Sequence, residues 1–249
     1  MKLSAVILSR NEEKNIERSI KSLKFCDEII LIDDNSIDET RNIAQKFGVK
    51  VLERKLEGNF SSQRNYGLEK ALGDWILFVD ADEVVGEKLK IEILQEINKN
   101  SEINGFQIRR KDHIWGKELR YGEIIQAKFM RMARKGAGRW KRRVHEVWEV
   151  SGKSKILKNS LDHYPHQNLS EFINEINIYS TLNSEANKLE KKESSLFKII
   201  LIPKLKFILN YFVRLGFIDG ERGLILALFM SFHSFLSWSK LWIKENQKS

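Results

Sequence analysis

Four strand-length apolar runs, each separated from the next by a stretch of helical character, fill the first 80 residues of this chain, and no other feature restricts its fold as much. Lys2 to Leu8 reads as a buried strand, and Ser9-Arg10-Asn11-Glu12-Glu13 supplies polar residues that can cap a helix running to about Leu23. Glu28 to Ile32 is the second run. Ser36 and Glu39 then have the spacing of a capping box, which predicts a helix from there to about Phe47, stopped by Gly48. Val49 to Glu53 gives a third strand and Ser61 to Leu72 a third helix, and Gly73 leads into the fourth run, which ends in Asp80-Ala81-Asp82. Strand and helix in alternation predict a parallel sheet covered on both faces, in which ligands collect at the carboxyl ends of the strands. Asn11, Asp34 and Asp82 each lie just past such an end and are expected to face one crevice.

Two carboxylates one residue apart repel each other unless positive charge sits beside them. A hard divalent cation that also holds a phosphorylated substrate would supply it; an ordinary acidic turn is the alternative. No Gly-x-Gly-x-x-Gly and no Walker-type Gly-Lys-Ser/Thr is present, which speaks against dinucleotide oxidoreductases and P-loop enzymes.

Beyond the acidic pair, Lys88 to Asn98 reads as a surface helix, and Gly105 to Arg109 and Lys128 to Met132 as strands. The net charge of +9 is concentrated: between Arg109 and Arg143 thirteen Lys/Arg face three acids, Asp112, Glu118 and Glu123. Such a stretch implies an anionic partner, whether phosphorylated substrate, anionic lipid or nucleic acid, or else a solvated basic loop. Trp115, Tyr121, Phe129 and Trp140 lie within it, the composition of a nucleic-acid-binding module. That reading leaves the acidic motifs at three strand ends unexplained, and no nucleic-acid partner is expected. At its end, Arg142-Arg143-Val144-His145-Glu146 can place a proton-accepting carboxylate beside a basic cluster, or Glu146 can simply pair with Arg142 or Arg143.

His163-Tyr164-Pro165-His166 separates strand-like from helical sequence. A helix follows to about Leu189, with Asn168 and Glu171 at its cap and Phe172, Ile173, Ile176 and Tyr179 at helical spacing, read as packing. Leu196 to Leu215 interleaves Lys198, Lys204, Lys206 and Arg214 with apolar residues, and Gly223 to Trp242 is almost wholly apolar and near the length that spans a bilayer. His233 and several serines interrupt it, so a basic amphipathic helix pair lying on an anionic membrane face fits better; a helical oligomer interface or plain core is the alternative. The single cysteine, Cys26, excludes an intrachain disulfide, and the apolar run at the N-terminus is too short for a signal peptide, so the catalytic part is expected in the cytoplasm.

The motifs in order, Val6-Ile7-Leu8-Ser9-Arg10-Asn11-Glu12-Glu13, Ile32-Asp33-Asp34-Asn35-Ser36, Gln63-Arg64-Asn65-Tyr66-Gly67 and Phe78-Val79-Asp80-Ala81-Asp82-Glu83, resemble the nucleotide-binding half of a family 2 glycosyltransferase. His145-Glu146, His163-Tyr164, Tyr179 and Gly216-Phe217-Ile218-Asp219-Gly220 are similar to the branch of lipopolysaccharide core sugar transferases of the beta-1,4-glucosyltransferase type. The resemblance implies an α/β GT-A fold, Rossmann-like with a mostly parallel sheet flanked by helices, and a C-terminal helical, membrane-associating extension. Its parts would be a nucleotide-sugar half over residues 1–100, an acceptor half over 101–166 and the extension over 167–249.

It also implies roles. Asp34 would hydrogen-bond the uracil of a UDP-sugar, with Ser9, Arg10 and Asn11 lining the base and ribose site. Arg64 would lie near the ribose or diphosphate, Asp80 near the ribose and donor sugar, and Asp82 would ligate Mg or Mn. Arg10 stands where many relatives carry an aromatic that stacks on the base, and guanidinium stacking can substitute. Glu146 would act as base in an inverting hexosyl transfer, with Asp112 or Glu123 as fallbacks, and His145, Arg142 and Arg143 would touch the acceptor. The implied partners are a nucleotide-sugar donor, an anionic lipid-linked glycan acceptor such as a lipopolysaccharide core, and the inner face of the cytoplasmic membrane, with a homo-oligomer as a further possibility. The same donor half would also serve a polyprenyl-phosphate, polysaccharide or protein acceptor.

Overall fold

The computed structural model describes residues 1–99, 101–124, 128–143, 146–165 and 168–247. The chain divides into two units, Met1–Arg110 with Ala127–His163, and Lys111–Gln126 with Tyr164–Ser249.

The first unit is built on one sheet. β1 (Leu3–Ser9), β2 (Glu28–Asp33), β3 (Lys50–Glu53) and β4 (Trp75–Asp80) run parallel, as the alternation of runs predicts, and lie in the order β3-β2-β1-β4. Beyond β4 the sheet continues through β8 (Lys128–Arg134), β6 (Ile103–Ile114), β11 (Lys153–His163) and β5 (Glu83–Val84). There β4 with β8, β6 with β8 and β11 with β5 pair antiparallel, so the sheet is mixed. A separate hairpin joins β9 (Gly138–Lys141) to β10 (Val147–Val150).

The two-residue period of the strands sorts their side chains to opposite faces. Leu3, Ala5 and Ile7 of β1 and Trp75, Leu77 and Val79 of β4 pack against Ile16 and Ile20 of α1 (Ile16–Ser22) and Leu89 and Ile93 of α4 (Glu87–Ile97). Val6, Ile30, Ile32, Ile76 and Phe78 face the other way and are covered by Trp140 and Trp148 of the hairpin. Both indoles meet Phe78 edge-on at 5.2 Å and stack on each other at 5.3 Å. Truncating a core aromatic of this kind typically costs ~3–5 kcal/mol. α3 (Phe60–Lys70) crosses this face at Gly67, where a Cβ would stand 2.6 Å from Val6 Cγ1, so only glycine lets the helix approach the sheet.

One local expectation fails. α2 spans Thr40–Lys46, and its N-cap Glu39 makes no side-chain capping bond. Ser36 Oγ instead donates to Asp33 Oδ1 at 2.6 Å and accepts from Asn11 N at 2.9 Å. Asp33 is fully buried at the end of β2 and needs donors, and it recruits the hydroxyl that the capping box would have used.

In the second unit the end of β6 turns back through Trp115 and Gly116, both at positive φ, into β7 (Lys117–Leu119). α5 (Leu169–Leu189) is capped by Asn168, whose Oδ1 accepts from Glu171 N at 2.9 Å, as expected. α6 (Leu196–Ile208) runs into a single π turn, Leu209–Val213, and α7 spans Glu221–Asn246. Ile114, Leu119, Phe172, Ile176 and Leu226 form the core. Asp219 Oδ2 accepts from the backbone N–H groups of Arg120 and Tyr121, both at 2.9 Å, so the Gly216–Gly220 segment fastens this unit internally. Glu123 is held by Lys206 Nζ at 2.7 Å and Asn210 Nδ2 at 2.6 Å.

Candidate functional site

The parallel registers align the strand ends. Ser9 is level with Asp33, and Leu8 with Asp80, so the loops that follow β1, β2 and β4 emerge side by side. The first two are stitched together: Asn11, at φ 55, donates its backbone N–H to Ser36 Oγ and accepts from Ile37 N at Oδ1, 2.9 Å in each case. Asparagine tolerates that left-handed conformation better than most residues. Asp34 is buried, with Leu56 N on Oδ1 at 2.8 Å and Arg10 Nη1 on Oδ2 at 3.2 Å. The Arg10 side chain is otherwise exposed, lying over the carboxylate that the resemblance assigns to the base.

At the end of β4 the carboxylates lie in a relay of buried ion pairs. Arg64, from α3, donates from Nε to Glu146 Oε1 at 2.8 Å and from Nη2 to Asp80 Oδ1 at 2.9 Å, with its guanidinium 4.7 Å from the Trp140 ring centre. Arg131, from β8, donates from Nη2 to Asp80 Oδ2 at 2.8 Å and to Glu83 Oε1 at 2.7 Å, and Glu83 Oε2 accepts the Asp80 N–H at 2.9 Å. Burial pushes Asp80 up, but the charges and hydrogen bonds of Arg131 and Arg64 hold it far below the usual carboxylate range. Burial, with Asp80 adding to it, leaves Glu83 raised despite Arg131. Glu146 therefore pairs with Arg64, 82 residues away in sequence, whereas Arg143 donates to Glu57 O at 3.0 Å. Arg142 and Arg143 are exposed, and His145 lies outside the described residues.

Asp82 points elsewhere than Asp80. Its Oδ2 is 3.0 Å from His163 Nε2, at the end of β11. Burial alone would raise Asp82, but the charge and hydrogen bond of His163, assisted by Arg110 and opposed by Asp80, leave it lowered. Among the described residues no group of three or more His, Cys, Asp or Glu side chains is placed to hold a metal. Asp82 and His163 nevertheless fit two adjacent positions on one ion: cis ligands of an octahedral site with ~2.1 Å bonds lie about 3 Å apart, and such ions keep further positions for water and phosphate.

Sequence reasoning missed Arg131 and His163 as members of this site. Arg131 alternates with apolar neighbours in a strand, and only its burial marks it. His163 stands in the sequence as part of a boundary and of a branch motif, neither of which assigns it a place beside Asp82. The basic stretch is also less uniform than its composition: Arg131 is internal, Arg134 donates to the carbonyls of Ser101 and Ile103, and Lys135 to that of Ala71. The fallback bases Asp112 and Glu123 both belong to the second unit, Asp112 buried and Glu123 tied to Lys206 and Asn210.

Residues 4–163 match the family model of Glycosyl transferase family 2. The chain is 26% identical to the lipopolysaccharide core biosynthesis glycosyltransferase LpsC of Rhizobium meliloti, over 99% of this chain and 94% of LpsC. It is also 26% identical to an uncharacterized glycosyltransferase of Rickettsia typhi, over 96% of this chain and 86% of that one. A solved structure of glucosyl-3-phosphoglycerate synthase from Mycobacterium tuberculosis superposes on 46% of this chain, which spans 44% of that one, at a TM-score of 0.38 and 23% identity.

Proposed function

We propose, from the premise that this chain belongs to glycosyl transferase family 2, that it is an inverting, metal-dependent hexosyltransferase. It would move a sugar from a UDP-sugar to a hydroxyl of a lipopolysaccharide core or similar lipid-linked glycan at the inner face of the cytoplasmic membrane. The observation that carries this reading is the pair of separated acidic functions at the end of β4. Asp82 meets His163, while Asp80 is joined through Arg64 to Glu146.

In this reading Asp34, Ser9, Arg10 and Asn11 receive the nucleoside. Asp82 and His163 would hold the divalent cation, which when bound offsets the charge developing on the diphosphate leaving group. An imidazole beside a carboxylate favours Mn over Mg, since Mg prefers an all-oxygen shell. Glu146 takes the proton of the acceptor hydroxyl as its oxygen bonds to the anomeric carbon and the bond from that carbon to the diphosphate oxygen breaks, so attack from the opposite face inverts the centre. Arg64 sets the position of Glu146 and Asp80 together, which couples the base to the donor side of the site. The full-length similarity to LpsC supports the acceptor class, as do the exposed Arg142 and Arg143 shortly before Glu146 in the sequence.

The test is a thermal-shift screen of UDP-, GDP- and other nucleotide-sugars with and without Mn, followed by transfer to a panel of lipid-linked acceptors. UDP-sugars should stabilise the protein more with Mn present. Stabilisation by no nucleotide would refute the donor assignment, and transfer only to polyprenyl phosphate or protein would refute the acceptor.

A further inference from the structure

α7 is 26 residues long and apolar enough to cross a hydrocarbon layer, yet only 22% of its most apolar window is buried. Ile225, Leu228, Phe232 and Phe235 are exposed along it at three- and four-residue spacing, and Trp242 follows seven residues on, which makes one stripe of the helix. α6 and the turns that follow it expose Phe197, Ile200, Ile208, Phe212, Val213 and Phe217. Soluble surfaces scatter apolar residues singly; a stripe on each of two helices that pack on each other calls for a cover.

The charges indicate which cover. From Leu196 to Ile218 there are four cations, Lys198, Lys204, Lys206 and Arg214, and no acid. Lys206 is engaged with Glu123, Lys198 sits 5.1 Å from the Trp238 ring centre, and Lys204 is exposed. Apolar side chains interleaved with cations match an anionic lipid surface, whereas a symmetric contact with a second copy would set this positive segment against itself.

The inner side of α7 decides how it meets that surface. Lys240 Nζ lies 2.7–2.8 Å from four oxygens of α5, on Asn177, Ser180 and Thr181, and Lys244 Nζ is 3.0 Å from Glu185 Oε1. Ser231 Oγ donates to Pro203 O of α6 at 2.8 Å. A spanning α7 would have to break these bonds or draw α5, with Glu171, Glu175 and Glu185, into hydrocarbon. We propose that the exposed faces of α6, its π turn and α7 form a seat for an anionic bilayer surface, with α7 lying in the membrane plane and not across it.

The seat rests on the reading above only for its purpose, delivery of a lipid-linked acceptor, and binding is measured without donor or acceptor, so the two fail separately. The full chain is sedimented with phosphatidylcholine vesicles with and without phosphatidylglycerol. Binding should need the anionic lipid, weaken with salt and be released by alkaline carbonate. Phe197→Ser with Val213→Ser should lower partitioning about tenfold per residue, and Lys204→Gln roughly fivefold, with melting temperatures unchanged because these three side chains lie exposed at the surface. Resistance to carbonate would overturn the in-plane arrangement. Failure to bind either vesicle would overturn the seat, as would a stable dimer that the Phe197 and Val213 changes dissociate.

Discussion

Replacing Arg131 with methionine is the sharpest test of the buried relay. The Arg131 side chain is 6% exposed and its Nη2 bridges Asp80 at 2.8 Å and Glu83 at 2.7 Å. Asp80 would keep Arg64, but Glu83, fully buried, would keep only the Asp80 N–H among its described bonds. Stranding one partner of a buried pair costs ~3–5 kcal/mol, a large part of the ~5–15 kcal/mol that holds a domain folded. Urea unfolding at neutral pH, followed by tryptophan fluorescence, should show that loss, and adding Glu83→Gln should recover about half of it or more, since the stranded charge is then gone. The pH dependence follows from the sign of the shift. Glu83 is raised in the folded protein, and losing the Arg131 charge raises it further. An acid raised on folding contributes stability fully below its unfolded value, about 4.3, and loses it as pH climbs through the folded value. The deficit of Arg131→Met should therefore be smallest below about pH 4.3 and grow towards neutrality. A deficit under about 1 kcal/mol, or one that is flat with pH, would mean that Glu83 carries no stranded charge and the reasoning is wrong.

Glu146→Gln should retain UDP-sugar binding by calorimetry and lose transfer by roughly 100- to 10,000-fold; wild-type turnover would place the base elsewhere. His163→Ala should raise the Mn concentration for half-maximal activity at least by the roughly 10- to 100-fold that even an outer-shell metal partner commands, while nucleotide binding without metal stays unchanged. Glu92, on α4, accepts from Lys158 N, Asn159 N and Asn159 Nδ2 at 2.7–2.8 Å, and these donors outweigh burial and lower its pKa. Its stabilising effect is present above the unfolded carboxylate value and lost as pH falls through the lower folded one, so Glu92→Gln should cost about 1 kcal/mol at neutral pH and flatten the acid limb of the stability curve. Gly223→Ala would drive a methyl into Gly216 O, and the overpacking should lower stability by ~1–3 kcal/mol in a thermal or urea melt.

The donor half of the fold was legible because its signals are local. Val6 to Ser9, Ile30 to Asp33 and Trp75 to Asp80 are apolar runs of strand length buried almost throughout, as strands covered on both faces must be, and polar residues follow each run, so a parallel sheet emerges from pattern alone. The antiparallel half was harder. β11 extends over 11 residues, but Lys153-Ser154-Lys155-Ile156-Leu157-Lys158 shows little alternation, because only part of its length faces the core. Ser36 marks the limit of local rules from the other side, since a sound capping-box spacing gave way to the need of buried Asp33 for donors.

What the sequence determined by itself was the position of the chemistry: carboxylates and amides stand just past the ends of apolar strands, and a parallel sheet must present those ends together. What only the tertiary structure decided was the partner of each charge. Asp80 and Asp82 are neighbours in the chain, yet β4 ends between them, so one is clamped by Arg64 and Arg131 and the other meets His163 from a strand 81 residues on. Glu146 is flanked by arginines in sequence and bound by Arg64, an arginine from another element. Ion pairs are chosen by distance and burial in three dimensions, and the order of residues along the chain carries neither.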